Sequence, residues 1–217
     1  MVTAITVAAF LSSSFVTGAE PTNLSLCKQE LGAYVKRGEY AQQIAEVALA
    51  ANKYLLERLA QGAKPGERLA IVFDIDETMV SSLSQIVAND YGYVPKVWDR
   101  WVAEGKAPAI LPVQAIYNTA LSEKIAIFII TGRKESDRPG TERNLRQVGY
   151  EKWTRIIYRT AEPDPSLNNA GFKTEVRHKI TEEGYTIIAN IGDQASDLAN
   201  GYAERTFKLP NPFYLAK

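Results

Sequence analysis

The 217-residue sequence contains a single cysteine, Cys27, and a single histidine, His178. One cysteine excludes an internal disulfide, and the two residues together form no zinc site of the Cys/His type. Cys27 lies in a helical pattern, where we expect a structural role, and His178 lies in a charged helical segment, where we expect a surface position. Any chemistry must therefore come mainly from carboxylates, hydroxyls and basic side chains.

The sequence also lacks an excess of charge of either sign. Lys plus Arg and Asp plus Glu both number 25, so the formal net charge is zero. We therefore predict neither a nucleic acid polymer nor an anionic membrane as a partner, because both bind to an excess of basic residues. An anionic ligand would have to be held by a local group of side chains.

Charged residues are missing from the first 19 positions. Residues 1–19 are apolar and then small, ending in Thr17, Gly18 and Ala19, as in a secretory signal peptide without the usual basic start. The segment is shorter and richer in Ser and Thr than a membrane span, which needs about 20 mainly apolar residues. We expect a periplasmic or secreted protein without a membrane span in the mature chain. A buried N-terminal element and a cytoplasmic protein are the alternative.

Apolar runs of strand length alternate with helical patterns through most of the chain. Strands are predicted at 69–75, 125–131, 155–159, 186–192 and near 206–208. Helices are predicted at 112–123, 139–149, 171–183 and 195–203. Nearly continuous apolar runs are typical of strands covered on both faces, and the alternation is typical of crossover connections. We predict an α/β fold with a Rossmann-like parallel sheet flanked by helices.

Two segments lie outside this alternation. Residues 20–67 are predicted to form an N-terminal helical extension, in which a break at Gly38 interrupts a helix over 24–62. Residues 79–111 follow the first strand directly, in a predicted core of residues 68–217. An insertion at that point lies over the carboxyl ends of the strands, where open α/β sheets bind ligands. The insertion is therefore predicted to be a small helical cap.

Polar side chains recur where the apolar runs end. They are Asp74, Asp76 and Thr78 after the first run, Thr131 and Gly132 at the second, Lys173 at the start of a helix, and Asp193 and Asp197 after the fourth run. In an extended segment Asp74 and Asp76 would project to the same side. Because the carboxyl ends of parallel strands share one edge of a sheet, we expect these groups to converge. Clustered carboxylates repel one another unless a cation holds them, and oxygen donors suit Mg²⁺.

Five stretches, in this order, resemble the haloacid dehalogenase superfamily. They are FDIDET at 73–78, FIITGR at 128–133, the helix of Lys173, IGDQASDL at 191–198 and FKLPNPFY at 207–214. More narrowly, they resemble its subfamily IIIB acid phosphatases, a group that includes bacterial secreted enzymes and plant vegetative storage proteins. The resemblance implies the haloacid dehalogenase fold and a Mg²⁺-dependent phosphomonoesterase that acts on small phosphomonoesters.

The resemblance also implies a role for each polar residue. Asp74 would be the nucleophile that forms an aspartyl-phosphate, and Asp76 would act first as acid and then as base. The implied metal ligands are the carboxylates of Asp74 and Asp193 and the backbone carbonyl of Asp76. Asp197 would be a further ligand or would hydrogen-bond to one of the ligands. The implied substrate-binding residues are Thr131, Gly132, Lys173 and Thr78. Glu77 is predicted to be a solvated or structural acid. Arg133 is predicted to be exposed, with contact to the substrate as the alternative.

Aromatic residues of the insertion bear on the substrate. Tyr91, Tyr93, Trp98 and Trp101 could stack on a flat leaving group, which makes nucleoside monophosphates candidate substrates, although packing is favoured for the two tryptophans. Trp98 and Trp101 are three positions apart and are predicted to form the packing stripe of one helix. The alternative function is a non-catalytic storage or binding protein on the same fold, and the intact Asp74 favours the enzyme. The sequence predicts neither the natural substrate nor the oligomeric state.

Overall fold

The computed structural model describes residues 20–160 and 168–216, so the predicted signal segment lies outside the described residues. Its strands are β1 Arg68–Phe73, β2 Ala126–Lys134, β3 Arg155–Arg159, β4 Tyr185–Gly192 and β5 Arg205–Lys208. Its helices are α1 Leu24–Lys36, α2 Glu39–Ala60, α3 Leu83–Ala88, α4 Pro95–Glu104, α5 Leu111–Ser122, α6 Arg138–Gln147, α7 Asn169–Glu182 and α8 Ala195–Leu198. The strands form one parallel sheet in the order β3-β2-β1-β4-β5. The predicted parallel α/β architecture is confirmed.

The central strand β1 is covered on both faces. Ile71 and Phe73 belong to the larger core, which includes apolar residues of α2 and α5, whereas Ala70 and Val72 belong to a smaller core beneath α7. This two-sided burial explains the continuous apolar run, since neither face of the strand meets water. Asp74 lies two positions after Val72, so its side chain projects to the same face of the sheet as those of Ala70 and Val72, toward α7.

The N-terminal extension is helical and breaks where predicted. Gly38 separates α1 from α2 with a left-handed φ of 78°. The residues that α2 buries recur at spacings of three and four: Tyr40, Ile44, Ala48, Ala51 and Leu55. All five join the core that lies against β1, so the extension packs directly on the sheet. Within the described part of the chain, no helix is both long and apolar enough to cross a membrane.

The insertion after β1 is helical, as predicted, and contains α3 and α4. Helix α4 begins at Pro95 and is capped at its carboxyl end by Gly105, whose φ is 63°. Helix α6 packs against it almost backbone to backbone. A Cβ atom at Gly140 would lie 2.4 Å from the carbonyl oxygen of Val102. Glycine therefore allows the cap to contact the sheet domain closely.

Three aromatic rings join the extension, the cap and the C-terminal segment. The ring centroid of Phe213 lies 5.0 Å from that of Tyr40 on α2 and 6.2 Å from that of Tyr91 in the cap. These distances are those of favourable aromatic pairs. Three parts of the chain that are remote in sequence therefore share one contact.

The last helix is shorter than the predicted 195–203 and ends at Leu198. The reason is the guanidinium of Arg177, which is fully buried and donates to the carbonyl oxygens of Asp197, at 2.6 Å, and Ala199. Because these carbonyls point toward Arg177, the helix does not continue.

The rare residues Cys27 and His178 both lie at the surface. His178 is 47% exposed, as predicted. Cys27 lies in α1, as predicted, and is exposed, so burial does not support the structural role predicted for it.

Candidate active site

The carboxyl edge of the sheet opens into a cavity of about 530 Å³ beneath the cap. Six of the predicted site residues line it: Asp74, Asp76, Gly132, Lys173, Asp193 and Asp197. The other two, Thr78 and Thr131, are fully buried and lie behind its wall. The sequence thus brings the predicted residues to one place, although not all of them face the cavity.

Three buried carboxylates and one ammonium form the centre of the site. Carboxylate oxygens of Asp74, Asp193 and Asp197 lie within 4.8 Å of one another. The Nζ atom of Lys173 donates to Oδ1 of Asp74 at 2.5 Å and to Oδ1 of Asp197 at 2.6 Å. Lys173 thus contacts two of the three acids, and the atoms that could bind a metal are all oxygens. This donor set fits a hard divalent metal ion.

The pKa values of these groups reflect the shortage of positive charge. Burial raises the pKa of Asp74 well above its usual range, the charges of Asp197 and Asp193 raise it further, and Lys173 opposes the shift. Burial, and then Asp197, raise the pKa of Asp193 to about 6. Burial alone would lower the pKa of Lys173, but Asp74 and Asp197 raise it, so the ammonium stays charged. The cluster therefore favours an added proton or an added cation.

Local backbone contacts fix Asp197. A Cβ atom at Gly192 would lie 2.5 Å from both Cβ and Oδ2 of Asp197, so only glycine leaves room for this carboxylate. The backbone N–H of Gln194 donates to Oδ2 of Asp197 at 2.8 Å. The strand end and the first turn of α8 therefore position the acid together.

Asp193 is held by three donors. Thr78 donates its hydroxyl at 3.2 Å, Gln194 its side-chain amide at 2.6 Å, and Asn211 its side-chain amide at 2.7 Å. Thr78 thus contacts this acid from behind the cavity wall. Asn211 is not among the site residues predicted from the sequence. The available signal is the position of β5 beside β4, because residues that follow β5 emerge at the same edge as Asp193.

Asp76 lies apart from the three acids. Because β1 ends at Phe73, the alternation predicted for Asp74 and Asp76 does not extend to this residue. Both carboxylate oxygens of Asp76 accept from Arg133, from Nε at 3.0 Å and from Nη2 at 2.6 Å. Arg133 is only 5% exposed, so the prediction of an exposed arginine is wrong. The hydroxyl of Thr131 accepts from the backbone N–H of Arg133 at 3.1 Å.

Glu77 is a structural acid and is not solvated. It is fully buried at a left-handed φ of 53°, a conformation that is costly for a residue with a side chain. Its carboxylate accepts from the backbone N–H of Ser82 at 2.5 Å and from the hydroxyl of Tyr214 at 3.0 Å. Burial, followed by the charges of Asp76 and Asp193, raises its pKa to about 8.

Without metal, the protein is expected to lose stability as the pH rises from about 4.5 to 8. The ordinary pKa of Glu77 is 4.5 and its folded value is about 8, so in this window the folded state binds the proton that the unfolded state has released. The contribution of Glu77 to the free energy of unfolding is therefore greatest below pH 4.5 and falls by several kcal/mol across the window. The raised pKa of Asp193 also lowers the free energy of unfolding as the pH rises, from its ordinary value of 3.8 to about 6.

Urea unfolding in EDTA across this range measures the effect. The Glu77→Gln variant carries a neutral group of the same shape and should show a flatter pH dependence than the wild type. Glu175→Gln, at a surface residue of α7, should keep the wild-type slope. Equal slopes for Glu77→Gln and the wild type would show that Glu77 does not hold a proton.

The cap contributes an aromatic wall. Tyr91, Tyr93 and Trp98 line the cavity, and the rings of Tyr93 and Trp98 lie 6.4 Å apart. Trp101 packs against the core and donates from Nε1 to the hydroxyl of Ser82 at 3.1 Å. The predicted packing stripe therefore holds for Trp101, whereas Trp98 lies on the cavity wall.

The family follows from sequence comparison. A model of the haloacid dehalogenase superfamily, subfamily IIIB (acid phosphatase), matches residues 4–217. The chain belongs to this subfamily.

Individual relatives agree with this assignment. Acid phosphatase 1 of Solanum lycopersicum is 34% identical over 208 residues, which cover 90% of this chain and 79% of the relative. The stem 28 kDa glycoprotein of Glycine max is 39% identical over 149 residues, 66% of this chain, and the match spans only 58% of that relative. The structure of the class C acid phosphatase from Bacillus anthracis superimposes with a TM-score of 0.70 at 24% identity, over 87% of this chain and 86% of that one. This similarity confirms the predicted fold.

Proposed function

We propose that the chain is a Mg²⁺-dependent phosphomonoesterase that hydrolyses small phosphomonoesters through an aspartyl-phosphate. The observation that carries the proposal is the contact of Lys173 with both Asp74 and Asp197 at the wall of the cavity. The contact supports the proposal because attack on a phosphate ester requires a carboxylate beside a fixed positive charge, and we assign the role of nucleophile to Asp74. The subfamily supports phosphatase activity.

The metal would be held by the carboxylates of Asp74, Asp193 and Asp197, with the backbone carbonyl of Asp76 as a further ligand. Mg²⁺ is favoured because all of these donors are oxygens. When bound, a divalent ion supplies charge neutralisation for the phosphoryl oxygens and for Asp74.

The side chains divide the reaction into two displacements. In the first, an oxygen of Asp74 bonds to phosphorus, the bond to the leaving oxygen breaks, and Asp76 gives that oxygen a proton. In the second, Asp76 takes a proton from water, the water oxygen bonds to phosphorus, and the bond to Asp74 breaks to release inorganic phosphate. Lys173 holds the phosphoryl oxygens together with Gly132, whose backbone lies on the cavity wall. Thr131 is proposed to complete this anion site.

The aromatic wall bears on the leaving group. Tyr91, Tyr93 and Trp98 face the same cavity as Asp74, and stacking on such rings favours a flat group. Nucleoside monophosphates are therefore the first substrates to examine. The charge-free segment 1–19 supports action outside the cytoplasm, which stays a prediction from the sequence.

Hydrolysis of p-nitrophenyl phosphate tests the proposal. We expect turnover with Mg²⁺, its loss in EDTA and its recovery when Mg²⁺ is restored. Asp74→Asn should reduce kcat by at least about 10³-fold, because the nucleophile is gone. Asp99→Asn, at an exposed residue of α4, is the matched control and should retain wild-type activity. Turnover that persists in EDTA or in Asp74→Asn would contradict the mechanism, and no turnover in folded, metal-loaded protein would favour the storage or binding alternative.

A further inference from the structure

Arg133 makes a buried, two-pronged contact with the acid/base candidate. Its Nε and Nη2 atoms donate to the two carboxylate oxygens of Asp76, and its remaining nitrogen, Nη1, donates to the hydroxyl of Thr141 at 3.0 Å. Arg133 is 5% exposed and Thr141 is fully buried. A two-pronged contact fixes the carboxylate in direction as well as in distance. Asp76 thus has one preferred orientation.

The charged groups of the site fall into two separate sets. Lys173 contacts Asp74 and Asp197, whereas Arg133 contacts Asp76. The metal-ligand cluster is formed by the carboxylates of Asp74, Asp193 and Asp197 without that of Asp76. Arg133 therefore holds the Asp76 carboxylate away from the cluster that the metal would occupy.

Arg133 lies on the side of the cavity that the cap covers. The guanidinium carbon of Arg133 lies 6.0 Å from the ring centroid of Trp98 in α4, and both residues line the cavity. The wall formed by Trp98 is the one against which a leaving group would lie. Asp76 is thus held by an arginine that also lies beside the aromatic wall.

We propose that Arg133 is a positioning residue that aims Asp76 at the leaving oxygen, so that the enzyme can cleave esters of poorly leaving alcohols. This inference rests on the proposed phosphatase mechanism. In the first displacement the bond from phosphorus to the alcohol oxygen breaks, that oxygen takes the proton of Asp76, and Arg133 neutralises the carboxylate that remains. In the second displacement the same carboxylate is held as the base that accepts a proton from water. Arg133 itself forms no bond to the substrate.

The test compares two substrates that differ in their need for a proton. p-Nitrophenolate leaves readily without one, whereas an aliphatic alkoxide does not, as in glycerol 2-phosphate. The parameter kcat/KM reports only the first displacement. For Arg133→Met we expect kcat/KM to fall at least about 30-fold with glycerol 2-phosphate and less than about 5-fold with p-nitrophenyl phosphate, since general acid catalysis is worth about 10²–10⁴-fold. With p-nitrophenyl phosphate, kcat and KM should fall together, because the second displacement still needs Asp76 as base.

Two further variants secure the interpretation. Asp76→Asn/Arg133→Met should be no slower than Asp76→Asn alone, because both changes remove the same proton transfer. Thr141→Val removes only the hydroxyl that supports Arg133, and it should show the same substrate selectivity with a smaller loss. This variant carries the test if Arg133→Met does not fold. Arg146→Met, at an arginine that is 53% exposed, is the control and should leave both substrates unaffected.

The outcomes separate this inference from the mechanism beneath it. If Asp76→Asn does not discriminate between the two substrates, the acid role of Asp76 fails and the proposed mechanism with it. If Asp76→Asn discriminates but Arg133→Met and Thr141→Val slow both substrates equally, the inference about Arg133 is wrong. For Arg133→Met, a rise of more than about 10-fold in the inhibition constant of inorganic phosphate would also overturn the inference. It would correspond to a loss of about 1.4 kcal/mol in phosphate binding and would indicate that Arg133 is a phosphate ligand.

Discussion

Replacing Lys173 with methionine is expected to reduce kcat/KM by at least about 10³-fold, because charge that develops on the phosphoryl group would lose its fixed cation. Lys173 is buried and contacts both Asp74 and Asp197. Methionine keeps an unbranched, uncharged side chain that reaches the ε position and lacks the ammonium. Initial rates with p-nitrophenyl phosphate at saturating Mg²⁺ measure the loss.

The same variant should weaken the fold when metal is absent. Without Lys173, the buried carboxylates of Asp74 and Asp197 have no cation, and leaving a buried charge unpaired costs about 3–5 kcal/mol. Added Mg²⁺ should restore part of this stability, because it supplies the missing charge. Lys179→Met, on the same helix at a side chain that is 63% exposed, is the matched control. Activity of Lys173→Met within about tenfold of the wild type would rule out the role assigned to Lys173.

Replacing Arg177 with methionine is expected to lower the free energy of unfolding by about 3–5 kcal/mol, since several buried acceptors would lose their donor at once. The fully buried guanidinium donates from Nη1 to the carbonyl of Asp197 at 2.6 Å and from Nε to that of Gly201 at 3.0 Å, and it also donates to the carbonyl of Ala199. Among the described residues no carboxylate forms an ion pair with it. Burial lowers the pKa of Arg177, and the charge of Asp197 opposes this shift.

Urea unfolding at constant pH measures the loss. Arg177→Lys should fall between Arg177→Met and the wild type, because one ammonium cannot reach all of the carbonyls that the guanidinium reaches. Affinity for Mg²⁺ should also decrease in Arg177→Met, since Asp197 lies in the segment that Arg177 holds. Isothermal calorimetry follows this second effect independently of activity. A loss of stability below about 1 kcal/mol would show that water replaces the arginine, since unpaired buried acceptors cost more than that.

The parts of the site that the sequence predicts are those that depend on strand ends. An apolar run locates each strand to within a few residues, and parallel packing then brings Asp74 and Asp193, which follow β1 and β4, to one edge. Lys173 reaches the same cavity from the second turn of α7. The sheet and the acid cluster therefore follow from local patterns and one rule of topology.

The parts that the sequence does not predict depend on pairing between distant segments. Tyr214 meets Glu77 across 137 positions, and Arg133 meets Asp76 across 57. Neither partner carries a local pattern that indicates the other, since an arginine in sequence is most often exposed. Arg177 is missed for the same reason, because the carbonyls that bury it belong to a turn whose shape it determines.

The contact between Phe213, Tyr40 and Tyr91 has an evolutionary consequence. It makes the helices before the sheet part of the support of the aromatic wall, since Tyr91 lines the cavity and Phe213 contacts Tyr40 of α2. These two helices are therefore not expected to be dispensable in the way that an appended module is. Their loss would expose the apolar face of the sheet and remove the support of a ring that lines the cavity. The extension and the catalytic centre are therefore expected to have been inherited together.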